Sequence, residues 1–369
     1  MSSTTTLNAL GFLVRRRRVR YWLLLGFLSV YVVFCAVVFF QWVNPSLLGE
    51  TDQRIAADSG TYIYMADVLR EGRPDPWVYE ALASFPNTLW MPVFLAYVIK
   101  NTIWVAVLNL ALFGWSIELF KRTSRINVGL FVALLLVNPT TTVSLLSVNK
   151  EIIDLFAVAL FCFALQKNRK VILCIALALA LLNRYEVCLA MMILLFAQSK
   201  FNPARHHRWW TLAGLVFMLN LLLPLLAARA LATRFEEASS GGLVAVLDKL
   251  EMQYLFAVAT IPKILEGMFG ELLNVSRWAG YSINDLANSY ILFFNNLAFL
   301  LVIAVLLWKR LVNLRSDWIY FALLGSVLMS VSLVIQPRYF YFCYVLFCFQ
   351  AAQPAMAAYR RSRLIFGEA

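Results

Sequence analysis

The chain has 369 residues, of which 62% are hydrophobic and 14% charged, with a formal net charge of +12. A soluble protein of this size carries about a quarter charged residues, so the composition excludes an ordinary soluble domain and indicates an integral membrane protein. The basic residues stand in short clusters between apolar runs. That pattern reports membrane topology, and we expect no nucleic-acid partner.

Six basic clusters set the expected topology. They are residues 15–20, 121–125, 167–170, 200–208, 309–315 and 360–363. The positive-inside rule places all six in the cytoplasm, together with both termini. The sequence therefore predicts an all-α fold over residues 1–369, a single polytopic transmembrane helical bundle of about ten spans.

The apolar runs define these spans in chain order. They are residues 21–43, 102–120, 126–147, 151–166, 171–183, 187–199, 209–230, 289–308, 317–335 and 339–358. The stretch 86–120 is too long for one span and too short for two, so we expect a re-entrant or interfacial helix at 86–99. Asn138-Pro139 should interrupt its span. Residues 44–86 form a first outer loop, and residues 231–288 form a large outer loop with interfacial stretches such as 254–261.

Cysteine and histidine give no metal signature. All six cysteines fall in apolar runs without metal-ligand spacing and are expected to be small buried residues. The two histidines, His206 and His207, are adjacent in a basic loop. We expect neither a metal nor another cofactor.

Four charged clusters interrupt or abut the apolar runs. They contain Asp58, Lys150-Glu151, Arg184-Tyr185-Glu186 and Arg338. The expected topology puts all four near the outer membrane face. Ionisable residues near membrane depth are costly and tend to mark functional sites. We therefore expect one polar cavity that opens outward, binds an anion and moves a proton.

Asp58 is the candidate general base. A carboxylate in this loop could deprotonate a sugar hydroxyl, and Tyr62 lies one helical turn away on the same face. The alternative is a helix N-cap, because Asp accepts hydrogen bonds from the first turn. Asp52 and Asp67 are rival candidates for the base.

The arginines are candidate phosphate ligands. The planar fork of donors on Arg184 and on Arg338 matches phosphate oxygens. The alternatives are that Arg184 pairs with Glu186 to close a tight turn, and that Arg338 is a snorkelling anchor beside Tyr339 and other aromatic residues. For Lys150-Glu151 the alternative is a polar helix start.

Two motifs carry a resemblance to a known family. Asp58, Tyr62, Ala66 and Gly72, in the first outer loop after the first span, are similar to the first-loop motif of C-type glycosyltransferases. Pro337-Arg338-Tyr339 resembles the Pro-Arg-Tyr found late in those enzymes. The chain departs from the family where Ser59 follows Asp58, because many members have an acidic pair there.

The resemblance implies an enzyme of the bacterial cytoplasmic membrane. It would transfer sugar from a polyprenyl-(pyro)phosphate-linked donor to a glycan or lipid-linked acceptor, as O-antigen and exopolysaccharide polymerases do. Asp58 would be the base, and Arg184 and Arg338, with Lys150, would hold the phosphate. The same cavity would also suit a transporter or flippase of an anionic lipid-linked sugar. A non-catalytic assembly subunit is a third hypothesis.

Overall fold

The computed structural model is helical throughout the residues it describes, and no strand occurs among them. It describes residues 26, 29–43, 57–84, 86–202, 208–230, 250, 253–273, 283–312, 316–331 and 337–354. The predicted all-α class is therefore correct for this part of the chain. Asp52, the rival for the base, lies outside the described residues, as do residues 231–249 of the outer region 231–288 and both ends of the chain.

We number the helices in chain order. The first eight are α1 Ser29–Gln41, α2 Ala57–Glu71, α3 Pro76–Ser84, α4 Pro86–Val98, α5 Thr102–Thr123, α6 Val128–Val137, α7 Pro139–Leu146 and α8 Glu151–Lys167. The others are α9 Lys170–Asn183, α10 Tyr185–Gln198, α11 Arg208–Ala230, α12 Phe256–Leu273, α13 Ile283–Trp308, α14 Asp317–Met329 and α15 Tyr341–Ala351. A short 3₁₀ turn, Pro337–Phe340, leads into α15.

Two of the described helices are long and apolar enough to cross a membrane. They are α5 and the Ile291–Trp308 part of α13, and the bent pair α6–α7 gives up to three. Other apolar helices are shorter. α9 and α10 have 14 residues each, or about 21 Å of helix, against a hydrocarbon core of about 30 Å. The structure thus supports a membrane protein, while the count of ten spans is not established by helix length.

Three helices form the centre of the main core. Every residue of α15 is buried, and α8 and α14 are buried over most of their length. α8 packs against α5 and α9, and α14 packs against α10 and α15. The surrounding helices expose large apolar side chains, including Trp104, Trp115, Phe196, Phe217 and Leu300. Apolar exposure of this extent suits contact with lipid.

The predicted break at Asn138-Pro139 is present. α6 and α7 are bent by 84° there. Proline cannot donate an amide hydrogen to the preceding turn, and the Asn138 side chain accepts from the Thr140 amide to start α7. Asn295 on α13 also accepts from that amide, at 3.1 Å. The break therefore lies inside the bundle, and the backbone N–H groups at the start of α7 have hydrogen-bond acceptors.

One buried amide fixes the end of α7. Asn109 on α5 donates from Nδ2 to the carbonyls of Ser144 and Ser147, at 3.0 and 2.8 Å. These carbonyls belong to the last turn of α7 and the connection that follows it, where no helical amide remains to bind them. The connection 147–150, which leads into α8, is thereby held against α5.

The first outer region contains two helices that pack into a second, smaller core. α2 packs against α4, and α4 also packs against α3 and α9. Residues of this core include Tyr62, Met65, Val78, Val93 and Val148. The Ser59 hydroxyl donates to the Val148 carbonyl at 2.7 Å. The start of α2 is therefore attached to the connection that precedes α8.

Two further expectations are refined. Residues 256–261 of the stretch expected to be interfacial belong to α12, which packs against α11, α13, α14 and the 3₁₀ turn. The expectation that all cysteines are buried is wrong for Cys174, which is exposed on α9. α9 is apolar on both faces, so its composition did not reveal which face packs inward.

A close helix approach yields a test of the fold. A methyl group added at Gly325 on α14 would overlap the Phe342 ring and lie 3.2 Å from Cys343 Sγ, whereas nothing lies within 4 Å of one added at Gly114 on α5. We expect Gly325→Ala to destabilise the protein by about 1–3 kcal/mol, the cost of overpacking. Gly114→Ala should be neutral or slightly stabilising, because alanine favours helix. Thermal unfolding of the two variants in detergent measures the difference, and equal midpoints would contradict this packing.

Candidate functional site

Four segments that are distant in the chain meet at one buried cluster of charged residues. They are the first turn of α2, the connection into α8, the α9–α10 tip and the 3₁₀ turn before α15. Asp58 and Arg338, which are 280 residues apart, form one contact of the cluster. Glu151 and Arg184, 33 residues apart, form another. The structure thus brings the four charged clusters of the sequence together.

Arg184 is held by two carboxylates from the first turn of α8. Its Nη2 lies 3.3 Å from Glu151 Oε1, and its Nε lies 3.4 Å from Asp154 Oδ2. All three residues are at most 5% exposed. Glu151 and Asp154 are three residues apart on a helix and so share a face. The arginine is therefore paired across helices, and not with Glu186 within its own tip.

Asn183 fixes the tip that carries Arg184. It is the last residue of α9, and its Nδ2 donates to Asp154 Oδ1 at 2.6 Å and to the Lys150 carbonyl at 2.9 Å. Arg184 itself caps α10 with extended backbone. One amide therefore ties the α9–α10 tip to both the N-cap and the first turn of α8, and sets where the guanidinium lies.

Arg338 stands at the other side of the cluster. Its Nη1 donates to Asp58 Oδ2 at 2.7 Å. Tyr339, the next residue in the 3₁₀ turn, lies beside both arginines: the Cζ atoms of Arg184 and Arg338 are 5.7 and 5.5 Å from its ring centroid. Cation–π contacts of this kind orient guanidinium groups without using their N–H donors. The two arginines therefore meet on one aromatic ring.

Lys150 and Tyr62 complete the cluster. The Lys150 ammonium lies 5.7 Å from the Tyr62 ring centroid, and Tyr62 is buried. Lys150 is the N-cap residue of α8. Within the described part of the chain, the basic side chains of the cluster are those of Lys150, Arg184 and Arg338. The carboxylates found there are those of Asp58, Glu151 and Asp154, together with that of Glu186, whose charge acts on Arg184.

Each arginine keeps a donor that its carboxylates do not use. Within the part of the chain that the structure describes, no group accepts a hydrogen bond from the buried Nη1 of Arg184 or the buried Nε of Arg338. A buried unsatisfied donor costs free energy, and the cost is larger for a charged group. Two such donors beside one ring are groups to which an anion with several acceptor oxygens, such as a phosphate, could bind.

The remaining residues considered for the site differ in burial and in whether they belong to the cluster. Glu186 places Oε2 in a buried position that has no hydrogen-bond partner among the described residues. Tyr185 is 48% exposed, so about half of it lies at the surface. Asp67, the described rival for the base, pairs with Arg70 on α2 and is not part of the cluster. Of the described carboxylates offered as the base, Asp58 therefore lies in the cluster.

Asp154 and Asn183 were missed by the sequence analysis. Each is a polar residue inside an apolar run, next to a residue that was singled out, and each is at most 1% exposed. That position was the available signal, because buried polar groups require partners. Within the described ranges, no group of three His, Cys, Asp or Glu side chains could hold a metal ion.

The buried ion pair gives a stability test. Asp154→Asn removes a negative charge next to a buried guanidinium, and we expect a loss of about 3 kcal/mol. Asp67→Asn breaks the Asp67–Arg70 pair, whose carboxylate is 39% exposed, and should cost at most about 1 kcal/mol. Denaturation of both variants in the same detergent gives the comparison. A loss for Asp154→Asn no larger than for Asp67→Asn would contradict the buried pairing.

Comparison with known proteins adds no relative: no family model matches the chain, and neither a curated protein nor a solved structure matches it. What the cluster does is therefore inferred from its own geometry.

Proposed function

We propose that this protein is a glycosyltransferase or polysaccharide polymerase of the bacterial cytoplasmic membrane. Its donor is a sugar linked to a polyprenyl phosphate or diphosphate, and its acceptor is a glycan or a lipid-linked glycan. The observation that carries the proposal is the pair Arg184 and Arg338, which meet at Tyr339 with a buried donor each unused. This arrangement suits the phosphate of the donor.

In the proposed reaction, an acceptor hydroxyl attacks the anomeric carbon of the donor sugar. The new glycosidic bond forms as the bond from that carbon to the phosphate oxygen breaks, and the electron pair leaves with the phosphate. Asp58 takes the hydroxyl proton. Arg184 and Arg338 stabilise the charge that develops on the leaving oxygen, where buried donors are most effective. A single displacement of this kind inverts the anomeric configuration.

The membrane arrangement that goes with this proposal has both termini in the cytoplasm and the cluster near the outer face. The helix bounds support it, because α5 to α11 begin and end within a few residues of the expected spans. The basic clusters at 121–125 and 167–170 then lie inside. The donor lipid would reach the cluster laterally, from the outer leaflet.

The first test is Asp58→Asn. Asparagine keeps the size of the side chain and can still accept from Arg338, but it loses the charge and the basicity. We expect the variant to insert normally and to transfer sugar roughly 10²- to 10⁴-fold more slowly, the usual contribution of a positioned base. The measurement is transfer from a polyprenyl-linked radioactive sugar by purified protein in proteoliposomes. Asp67→Asn is the matched control and should keep nearly full activity.

Three results would change this assignment. Near-normal turnover of Asp58→Asn would remove Asp58 as the base. Inactivity of Asp52→Asn alone would move the role to that residue. Movement of the labelled lipid across the bilayer by the wild-type protein, without transfer of its sugar, would favour a flippase instead.

The second test concerns topology. In a Cys174→Ser background, which removes the exposed native thiol, Glu71→Cys and Lys121→Cys are matched reporters with side chains that are 58% and 57% exposed in the parent. A membrane-impermeant maleimide added to intact spheroplasts should label position 71 and should reach position 121 only after permeabilisation. Labelling of position 121 in intact cells would overturn the side assignment.

A further inference from the structure

The two roles proposed for Asp58 and Arg338 conflict in the structure. A base must be free to accept a proton, and a phosphate ligand must be free to donate to the phosphate. Here the two side chains are paired, with Nη1 of Arg338 2.7 Å from Oδ2 of Asp58. The Asp58 oxygen that accepts from Arg338 is not available to an acceptor hydroxyl, and the Arg338 nitrogen that donates to it is not available to a phosphate. While this ion pair is formed, Asp58 cannot act fully as a base and Arg338 cannot fully bind a phosphate.

The two arginines are held to different degrees. Arg184 is enclosed: its side chain is 6% exposed, and its two carboxylate partners are 2% and 1% exposed. The Arg338–Asp58 pair is open by comparison, with side chains that are 29% and 38% exposed. Partly exposed ion pairs are weak, whereas a buried pair is costly to break. Arg184 is therefore a fixed element of the cluster, and Arg338 is the arginine whose partner can be exchanged.

The charges around the two arginines also indicate that Arg338 is the one that exchanges its partner. Among the residues that the structure describes, both arginines already face carboxylates: Arg184 faces Glu151 and Asp154, and Arg338 faces Asp58. Besides Asp58, the charged groups that act on Arg338 include Glu151, which is itself paired with Arg184. Arg338 can give its full charge to an incoming phosphate only if its own carboxylate partner is replaced. Of the carboxylates paired with these two arginines, Asp58 belongs to the most exposed ion pair.

We propose that the donor phosphate takes the place of Asp58 on Arg338, and that this exchange releases Asp58 to act as the base. The inference rests on the proposed function and adds regulation to it. Before the donor binds, Asp58 is held by Arg338, so the acceptor is not deprotonated first. With the donor in place, Nη1 of Arg338 donates to the phosphate, and Asp58 no longer accepts from that nitrogen. Donor binding thereby precedes base catalysis.

The exchange predicts opposite effects of one substitution on binding and on turnover. If Asp58 competes with the phosphate for Arg338, then Asp58→Asn should bind polyprenyl phosphate about two- to fivefold more tightly than wild type, the scale of a partly exposed ion pair. The same variant should transfer sugar more slowly. A structural role for Asp58 would instead weaken binding or leave it unchanged. The measurement is the Kd of full-length protein in nanodiscs for a polyprenyl phosphate, with polyprenol and inorganic phosphate as comparison ligands.

A double-mutant cycle separates exchange at Arg338 from a general charge effect. In an Arg338→Gln background, Asp58→Asn should no longer tighten binding. Glu186→Gln removes a different carboxylate of the cluster, so it reports the general charge effect even if Arg338→Gln binds too weakly to measure. Equal tightening by Asp58→Asn in both backgrounds, or by Glu186→Gln and Asp58→Asn alike, would overturn the exchange.

Failure of the exchange is distinct from failure of the proposed function. Wild-type protein that binds polyprenyl phosphate no better than polyprenol would remove the proposed function and the exchange with it. If wild type prefers the phosphate and transfers sugar while Asp58→Asn binds no more tightly, the function stands and the exchange is wrong. If binding tightens as expected but wild type transfers no sugar, the exchange stands at a site that binds without catalysis.

Discussion

The positive charge of a guanidinium enclosed in an apolar bundle needs carboxylate partners close to it. The arrangement around Arg184 follows from that requirement. Glu151 and Asp154 supply two carboxylates from one face of α8, and Asn183 holds one of them. This compensation ties the α9–α10 tip to the start of α8. Because α8 packs against α5 and α9, the same contacts fix the centre of the bundle relative to the site. Removing one carboxylate would leave the buried guanidinium with a single carboxylate partner, which is costly in an apolar interior.

The other parts of the site are placed relative to Arg184 by breaks between helices. α7 starts at the 84° bend, and Asn109 ties its last turn to α5, so the connection into α8 is placed before Lys150 and Glu151 begin the helix. Ser59 then attaches the start of α2 to the same connection. In a lipid-facing bundle, such irregular backbone is tolerated only where protein groups satisfy it. The polar contacts that satisfy it also bring Asp58 into the cluster.

Much of this could be read from the sequence, for a physical reason. Apolar runs predict helix bounds, and a charge inside an apolar run is conspicuous. Asp58, Arg184 and Arg338 were therefore found without coordinates. Which carboxylate meets which arginine was not predictable, because pairing depends on the rotation of each helix about its axis. That is why Asp154 and Asn183 were missed, and why Glu186 was considered as the partner of Arg184.

The shortness of α9 and α10 has a consequence for the surrounding bilayer. A hydrocarbon layer that matched their length of about 21 Å would be about 9 Å thinner than the usual core of about 30 Å. Bilayers adapt to short helices in this way at modest cost. Lipid headgroups beside the tip would then sit deeper than elsewhere on the surface. Under the proposed function, the phosphate of a polyprenyl-linked donor in that thinner region would lie closer to the depth of the α9–α10 tip.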